Sequence, residues 1–164
     1  MKPPQALKYI CVWLALILGI ATGYVLDLNY SSYVLLLVGY IIFGLGMYIH
    51  YLSHRAHPRA HRGIEEIDYV ATHGIYSWIR HPGYLGLSLA FYGLAIAFGS
   101  VPGLAIATVL TLHHYYLAVR EERLMIEKFG TVYIKYMEEV PDRFIPVRKI
   151  AKHLKKRLSP KQAL

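Results

Sequence analysis

The strongest constraint on this chain is a set of four apolar segments that contain no charged residue. They are 17 to 21 residues long and lie at Tyr9–Leu26, Ser32–Leu52, Pro82–Phe98 and Val101–Val119. A helix of about 20 residues crosses the hydrocarbon core of a bilayer, and backbone groups in lipid must hydrogen-bond within their own segment. The pattern therefore predicts an all-α polytopic membrane protein with about four transmembrane helices, formed as a single membrane domain over residues 1–164.

The distribution of basic residues predicts the orientation of these helices. Lys and Arg total 18 against 10 Asp and Glu, which gives a net charge of +8. Lys2 and Lys8 precede the first span, four arginines lie between Ser53 and His81, and the other twelve basic residues follow Val119. The turns after the first and third spans carry no Lys or Arg. By the positive-inside rule, both termini and the middle loop are expected in the cytoplasm.

Composition excludes several other classes of protein. Apolar residues make up 55% of the chain and charged residues 17%, which is atypical of disordered and of ordinary soluble chains. The single cysteine, Cys11, can form no internal disulfide. The basic tail lacks interleaved stacking residues in a soluble fold, so no nucleic-acid partner is expected. Its charges suit anionic headgroups of membrane lipids instead.

Two polar segments carry the candidate chemistry. One runs from His73 to Gly86 and enters the third span, and the other runs from Arg120 to Pro146 after the fourth span. The short link Gly99-Ser100 predicts an antiparallel hairpin, which brings the two segments to the same cytoplasmic level. We therefore expect the two polar segments to face each other across the hairpin, with a helix pair (1–52) before them and a basic tail (147–164) after them.

Local signals predict the helix ends in this region. Pro82 suits the first turn of a helix, and Ser77-Trp78-Ile79 before it would lengthen the third span. Gly130 is expected to end the helix that leaves the fourth span. Thr131 is then expected to cap a short amphipathic helix, which Pro141 stops. Such a helix would lie over the cytoplasmic membrane face as a lid.

These segments resemble the isoprenylcysteine carboxyl methyltransferase family, whose superfamily includes phospholipid N-methyltransferases. The resemblance covers roughly residues 76–146, nearly half of the chain, and it extends to no motif in the first two spans. It is carried by Tyr76-Ser77-Trp78-Ile79-Arg80-His81-Pro82-Gly83-Tyr84-Leu85-Gly86, by Arg120-Glu121-Glu122-x-Leu124, and by Phe129-Gly130-x-x-Tyr133-x-x-Tyr136-x-x-x-Val140-Pro141-x-Arg143-x-Ile145-Pro146.

The resemblance implies an integral-membrane enzyme that uses S-adenosylmethionine without a Rossmann domain, and the chain has no Gly-x-Gly-x-x-Gly segment after a strand. Residues 76–146 would then form the catalytic and cofactor region. Arg80, Arg143 and Glu122 would be the catalytic residues, with the two arginines holding an anionic group of substrate or cofactor. The implied cofactor-binding residues are His81, Tyr84, Leu85, Gly86, Glu121, Glu122, Tyr133 and Tyr136. One of the two glutamates would bind the cationic amino group or the ribose, and the two tyrosines would close over the cofactor.

Methyl transfer from a sulfonium makes different demands on an active site, depending on whether the acceptor is a carboxylate or a protonated amine. A carboxylate needs only alignment and desolvation, because opposite charges neutralise as the reaction proceeds. A protonated amine needs a base, and Glu121 or Glu122 would have to serve. We expect a lipophilic acceptor that reaches the hairpin from the membrane, with a carboxylate favoured and an amine, such as a phospholipid headgroup, as the alternative.

A histidine cluster offers a different interpretation. His50, His54, His57 and His61 are spaced to share one helix face, and imidazole binds zinc, copper and iron. Pro58 interrupts that helix and no carboxylate lies between the histidines, so no metal is expected. A membrane scaffold without activity and a sterol-reductase-like enzyme that uses a nicotinamide cofactor are further alternatives.

Overall fold

The computed structural model describes residues 5–58 and 64–158, and this part of the chain is helical throughout its regular structure. No strand occurs in these residues; a single isolated bridge pairs Asn29 with Ser100. The predicted all-α class is therefore confirmed. The helices are α1 (Gln5–Val25), α2 (Tyr33–Ala56), α3 (Pro82–Ala97), α4 (Val101–Phe129), α5 (Thr131–Glu139) and α6 (Val147–Leu158), with 3₁₀ turns at Ile64–Glu66 and Gly74–Ser77.

The helix ends confirm some of the local predictions and correct two of them. α3 begins at Pro82, as predicted, but Ser77-Trp78-Ile79 does not extend it, because Ser77 belongs to a separate 3₁₀ turn. α4 ends before Gly130, whose φ of +53° is a left-handed conformation that glycine adopts readily. The prediction that Thr131 caps α5 is wrong: Thr131 is its first helical residue, and Gly130 holds the cap position without a side-chain bond. α5 ends at Glu139, before Pro141.

One helix of the described residues, α2, is long and apolar enough to cross a membrane. Shorter apolar stretches lie at Tyr9–Val25 in α1 and over the whole of α3. α4 is longer than α2 but more polar. Four membrane spans and a lid formed by α5 therefore remain predictions.

The described residues divide into two compact units, and α2, α3 and α4 each contribute to both. The first unit consists of residues 5–50 and 84–117. Its apolar core is built from one face each of α1, α3 and α4. The core residues are Leu16, Ile20, Leu87, Phe91 and Ala107. Within this unit α3 and α4 form the predicted antiparallel hairpin, since the Tyr92 hydroxyl donates to Thr108 Oγ1 at 3.0 Å.

Glycines hold α2 and α3 in direct backbone contact within the first unit. A methyl group placed on Gly93 of α3 would lie 2.4 Å from the backbone nitrogen of Phe43 in α2. A methyl group on Gly46 would lie 2.6 Å from the backbone oxygen of Gly86. Small residues at such positions allow helices to pack closely where lipid gives no hydrophobic driving force between them. Gly44, also in α2, has no atom within 4 Å of the same position.

The outer face of α2 is apolar and exposed. Its large side chains recur at helical spacing and leave between 40% and 70% of their surface uncovered: Val34, Leu37, Ile41, Leu45 and Tyr48. Soluble monomers rarely expose a continuous apolar face of this kind. The face is therefore suited to an apolar environment.

The second unit consists of residues 51–58, 64–83 and 118–158. Its core is formed by Tyr133, Tyr136 and Val140, against which residues of α4 pack. The Tyr136 hydroxyl donates to the backbone oxygen of Tyr76 at 2.8 Å. α5 is thus joined to the 3₁₀ turn Gly74–Ser77 by a buried hydrogen bond.

The close contact at Gly93 predicts that glycine-to-alanine substitutions at two positions of the first unit have very different effects on the free energy of unfolding. Gly93→Ala should lower the free energy of unfolding by about 1–3 kcal/mol, because the added methyl group overlaps the backbone of α2. Gly44→Ala is the matched control and should be neutral or stabilising by about 0.5–1 kcal/mol, because alanine favours helix and meets no neighbour there. Thermal unfolding in detergent measures both. Equal effects of the two substitutions would contradict the close packing.

Candidate active site

A buried carboxylate, Glu122 in α4, is the centre of an ionic cluster in the second unit. Its side chain is only 5% exposed. Arg80 donates from Nε to Glu122 Oε1 at 2.8 Å, and Arg143 donates to both carboxylate oxygens at 3.0 and 2.6 Å. His81 Nε2 lies 3.2 Å from Oε1. The predicted meeting of the segment before α3 with the end of the α4 span is therefore confirmed for these residues.

Backbone hydrogen bonds hold the segments that carry the cations side by side. The N–H groups of Arg80 and His81 donate to the carbonyl oxygens of Asp142 and Arg143, each at 3.0 Å. Arg80 also donates from its guanidinium to the backbone oxygen of Val140 at 2.7 Å. Arg80 therefore binds Glu122 on one side and the residue that follows α5 on the other.

The cluster keeps Glu122 ionised. Burial by itself raises the pKa of this carboxyl group, but the hydrogen bonds from His81, Arg143 and Arg80 outweigh burial and hold the pKa well below its ordinary value. A carboxylate with a low pKa and with both oxygens engaged is a weak base. In this arrangement Glu122 is a poor proton acceptor, and its hydrogen bonds orient Arg80, His81 and Arg143.

Two charged groups extend from the buried cluster towards solvent. Arg143 has 26% of its side chain exposed, and Glu121 has 44%. Glu121 Oε2 lies 3.6 Å from His81 Nδ1, so His81 stands between the two neighbouring glutamates. The accessible edge of the cluster thus presents both a guanidinium and a carboxylate.

Tyr133 and Tyr136, predicted from the resemblance to cover the cofactor, are buried in the core of the second unit at 4% exposure each. Burial raises the pKa of both hydroxyl groups, and neighbouring Glu122 raises that of Tyr133 further. Burial also raises the pKa of Tyr76. All three hydroxyls stay protonated and cannot act as bases near neutral pH.

The other predicted cofactor residues, Tyr84, Leu85 and Gly86, lie in the first turns of α3, in the first unit. Tyr84 stacks on His114 of α4 with ring centroids 5.0 Å apart. Gly86 is packed against α2, since a methyl group there would lie 2.6 Å from the backbone nitrogen of His50. The space left by this glycine is used by another helix.

Sequence reasoning missed two features of these units. Asp142 contributes its backbone oxygen to Arg80 and its carboxylate to the start of α6, and only its position between Pro141 and Arg143 could have marked it. In the first unit, Ser88 Oγ, Thr111 Oγ1 and His114 Nδ1 are buried polar atoms without a hydrogen-bond partner. Helical spacing alone does not reveal these three atoms.

The histidine spacing does not define a metal site in the described residues. α2 ends at Ala56, before His57, and the His57 Nδ1 atom lies 2.9 Å from the Tyr69 hydroxyl. No group of three His, Cys, Asp or Glu side chains within 5–58 and 64–158 is arranged to hold a metal ion. His61 lies outside the described residues.

The described residues thus combine helical structure, one long apolar helix and a buried Arg–His–Glu cluster. The family model for phospholipid methyltransferase matches residues 34–132, more than half of the chain. The chain belongs to this family, which is part of the superfamily of integral-membrane methyltransferases that includes the isoprenylcysteine carboxyl methyltransferases. A comparison with curated proteins found no match.

Membership of the family implies methyl transfer from S-adenosylmethionine to a lipid-related substrate. The matched residues include Arg80, His81, Glu121 and Glu122. Arg143 lies beyond the match, so its place beside Glu122 rests on the structure.

The lowered pKa of Glu122 predicts the pH dependence of stability. Because the pKa is lower in the folded state than in the unfolded chain, the contribution to stability is complete above the unfolded value of about 4.3 and is lost as pH falls below it. Glu122→Gln removes this contribution and should destabilise the protein by about 3 kcal/mol near neutral pH, because two arginines lose their counter-charge. The difference in unfolding midpoint between the two proteins should shrink as the pH falls below about 4. A difference that stays constant down to acid pH would contradict the ionised cluster.

Proposed function

We propose that this protein is an integral-membrane enzyme that transfers a methyl group from S-adenosylmethionine to a lipophilic acceptor, most favourably a carboxylate. The observation behind the choice of a carboxylate is that Glu122, one of the two candidate bases, is engaged by Arg80 and Arg143, which leaves Glu121 as the one glutamate that could serve an amine. The low pKa and the fully engaged oxygens of Glu122 make it unsuited to deprotonate an acceptor. A carboxylate acceptor needs no such step.

The exposed apolar faces support the membrane location. On α4 the exposed apolar side chains are Val109, Leu112 and Tyr116, each more than 60% exposed, and α2 has a similar apolar face. We propose that α1, α2, α3 and the part of α4 from Val101 to Val119 provide four spans, with both termini and the residues between α2 and α3 in the cytoplasm, as the basic residues favour. A lipophilic acceptor then enters from the lipid.

The accessible edge of the cluster fits the amino-acid end of S-adenosylmethionine by charge. The exposed part of Arg143 complements its carboxylate, and the Glu121 carboxylate complements its ammonium group. When bound, S-adenosylmethionine supplies the methyl group from a positively charged sulfonium. We propose that Glu121 and His81 hold the cofactor, with Glu122 fixing the orientation of His81. A part for Tyr84, Leu85 and Gly86 in cofactor binding stays a prediction from the family resemblance.

The two arginines then differ in their contributions. Arg80 is almost completely buried and is engaged by Glu122 and by Val140, so it acts as a positioning residue. Arg143 is the more accessible and orients an anionic group of the acceptor or of the cofactor. Exclusion of water from such a site favours charge neutralisation between an anion and a sulfonium.

The family description favours a second acceptor class, the amine of a phospholipid headgroup. In that reaction a base must remove the amine proton. Glu121 is the better candidate of the two glutamates, because its carboxylate is nearly half exposed, whereas that of Glu122 is buried against two arginines.

The two acceptor classes predict different effects of Glu121→Gln on the rate of methyl transfer at saturating S-adenosylmethionine. With a carboxylate acceptor, saturating S-adenosylmethionine should restore the turnover, because the substitution affects cofactor binding alone. With an amine acceptor the loss should persist at saturation and should be about 10²-fold or more, as for a missing general base. The turnover with a lipophilic acid and with an amine that has the same tail measures this difference. Glu138→Gln, which changes an exposed glutamate on α5, is the control. Equal transfer to short acceptors without a lipid tail would contradict entry from the membrane.

Arg143→Ala should lower kcat/KM by about 10²-fold, since the anionic group that we propose it orients would lose a charge-assisted contact. Arg123→Ala, on the exposed surface of α4, is the matched control and should change kcat/KM less than twofold by the usual weakness of surface charges. Thermal unfolding of each variant separates a loss of catalysis from a loss of folding. Full activity of Arg143→Ala would remove this residue from the site.

A further inference from the structure

The last described helix, α6, combines an exposed apolar stripe with a strong excess of positive charge. Val147, Ile150 and Leu154 fall on one face at helical spacing, with 60%, 45% and 54% of their surfaces exposed. Residues 147–158 contain no Asp or Glu, and six of the twelve are Lys or Arg. Such a helix is suited to lie in the interface between lipid and water.

α6 is attached to the second unit through its first turn. The Asp142 carboxylate accepts the N–H of Arg148 at 2.8 Å and that of Lys149 at 3.4 Å, which satisfies two of the unpaired donors at the helix start. Lys149 donates to the backbone oxygen of Ser77 and lies over the ring of Trp78 at 5.7 Å. These polar contacts fix the helix start and leave the apolar stripe uncovered.

We propose that α6 is a binding surface for lipid bilayers that carry anionic headgroups. The apolar stripe would enter the interface while the Lys and Arg side chains contact the headgroups, and each basic residue near such a surface strengthens binding by roughly fivefold. A nucleic acid would use the charges but leave the stripe in water. A second copy of the chain would bring two sets of six positive charges together, which opposes association.

Binding of α6 to lipid would also affect the ionic cluster, because the segment that holds the start of α6 also carries Arg143. Asp142, which holds the start of α6, accepts the backbone N–H of Arg80, and the next residue, Arg143, binds Glu122. Fixing α6 on a lipid surface therefore restricts the segment that presents Arg143. This consequence for catalysis rests on the proposed function, whereas lipid binding by α6 does not depend on it.

A fluorescence experiment on the full chain tests the binding without reference to activity. Cys11 is the single cysteine of the chain, so Cys11→Ser allows one environment-sensitive label at a new cysteine. The label is placed at Leu154→Cys on the stripe, or at exposed Lys155→Cys beside it as the matched control. The labelled protein is reconstituted into vesicles of phosphatidylcholine with or without phosphatidylglycerol. Both leaflets have the same composition, so the direction of insertion does not affect the comparison.

We expect a blue shift of the label at position 154 in vesicles with phosphatidylglycerol and a clearly smaller one in phosphatidylcholine alone. The difference should disappear in high salt and when Lys152, Lys155, Lys156 and Arg157 are all replaced by Gln, because the headgroup attraction is then screened or removed. The control label at 155 should shift less than the label at 154 in the same vesicles.

Three results would overturn the proposal. Equal shifts in neutral and anionic vesicles would mean that α6 binds lipid without recognising charge. The absence of a shift in both would mean that the stripe does not enter a bilayer. A shift in detergent that grows with protein concentration would assign the stripe to a second copy of the chain. Methyl transfer is not measured, so a failure of the proposed function cannot produce any of these outcomes.

Discussion

The buried carboxylate of Glu122 is the interaction on which the second unit depends. It joins the residues before α3, the late part of α4 and the segment after α5 through contacts with Arg80, His81 and Arg143. Moving charges out of water is costly unless each meets its counter-charge in good geometry. Since three cationic or polar partners converge on one carboxylate, the arrangement is specific: shifting any one segment would leave a buried charge unpaired.

The first unit uses a different physical principle. There α2 and α3 meet at glycines, whose backbones approach more closely than any side chain would allow. The packing of α2 against α3 is therefore specified by close van der Waals contact at glycines, and not by buried charges. The stacked pair Tyr84 and His114 and the unpartnered atoms of Ser88 and Thr111 show that polar groups also occur between α3 and α4. Polar groups in such surroundings are expected to have a functional reason.

Much of the helical framework follows from local rules. The start of α3 at Pro82 and the break at Gly130 were predictable because the backbone properties of proline and glycine act within a few residues. The Thr131 cap was wrong because Gly130 took the left-handed conformation at that boundary and left Thr131 inside the helix. Ser77-Trp78-Ile79 does not extend α3, because Ser77 ends a separate 3₁₀ turn and the backbone N–H of Arg80 donates to the carbonyl oxygen of Asp142, far along the chain.

The sequence by itself determined that the chain forms long apolar helices, that its last two apolar segments make a hairpin, and that polar residues gather beside it. Run length, charge and turn residues are local properties and can be read without coordinates. Only the tertiary structure decided between Glu121 and Glu122: it buries the second against two arginines and leaves the first accessible. Neighbouring residues of a helix point about 100° apart, so their roles depend on which face meets the rest of the protein.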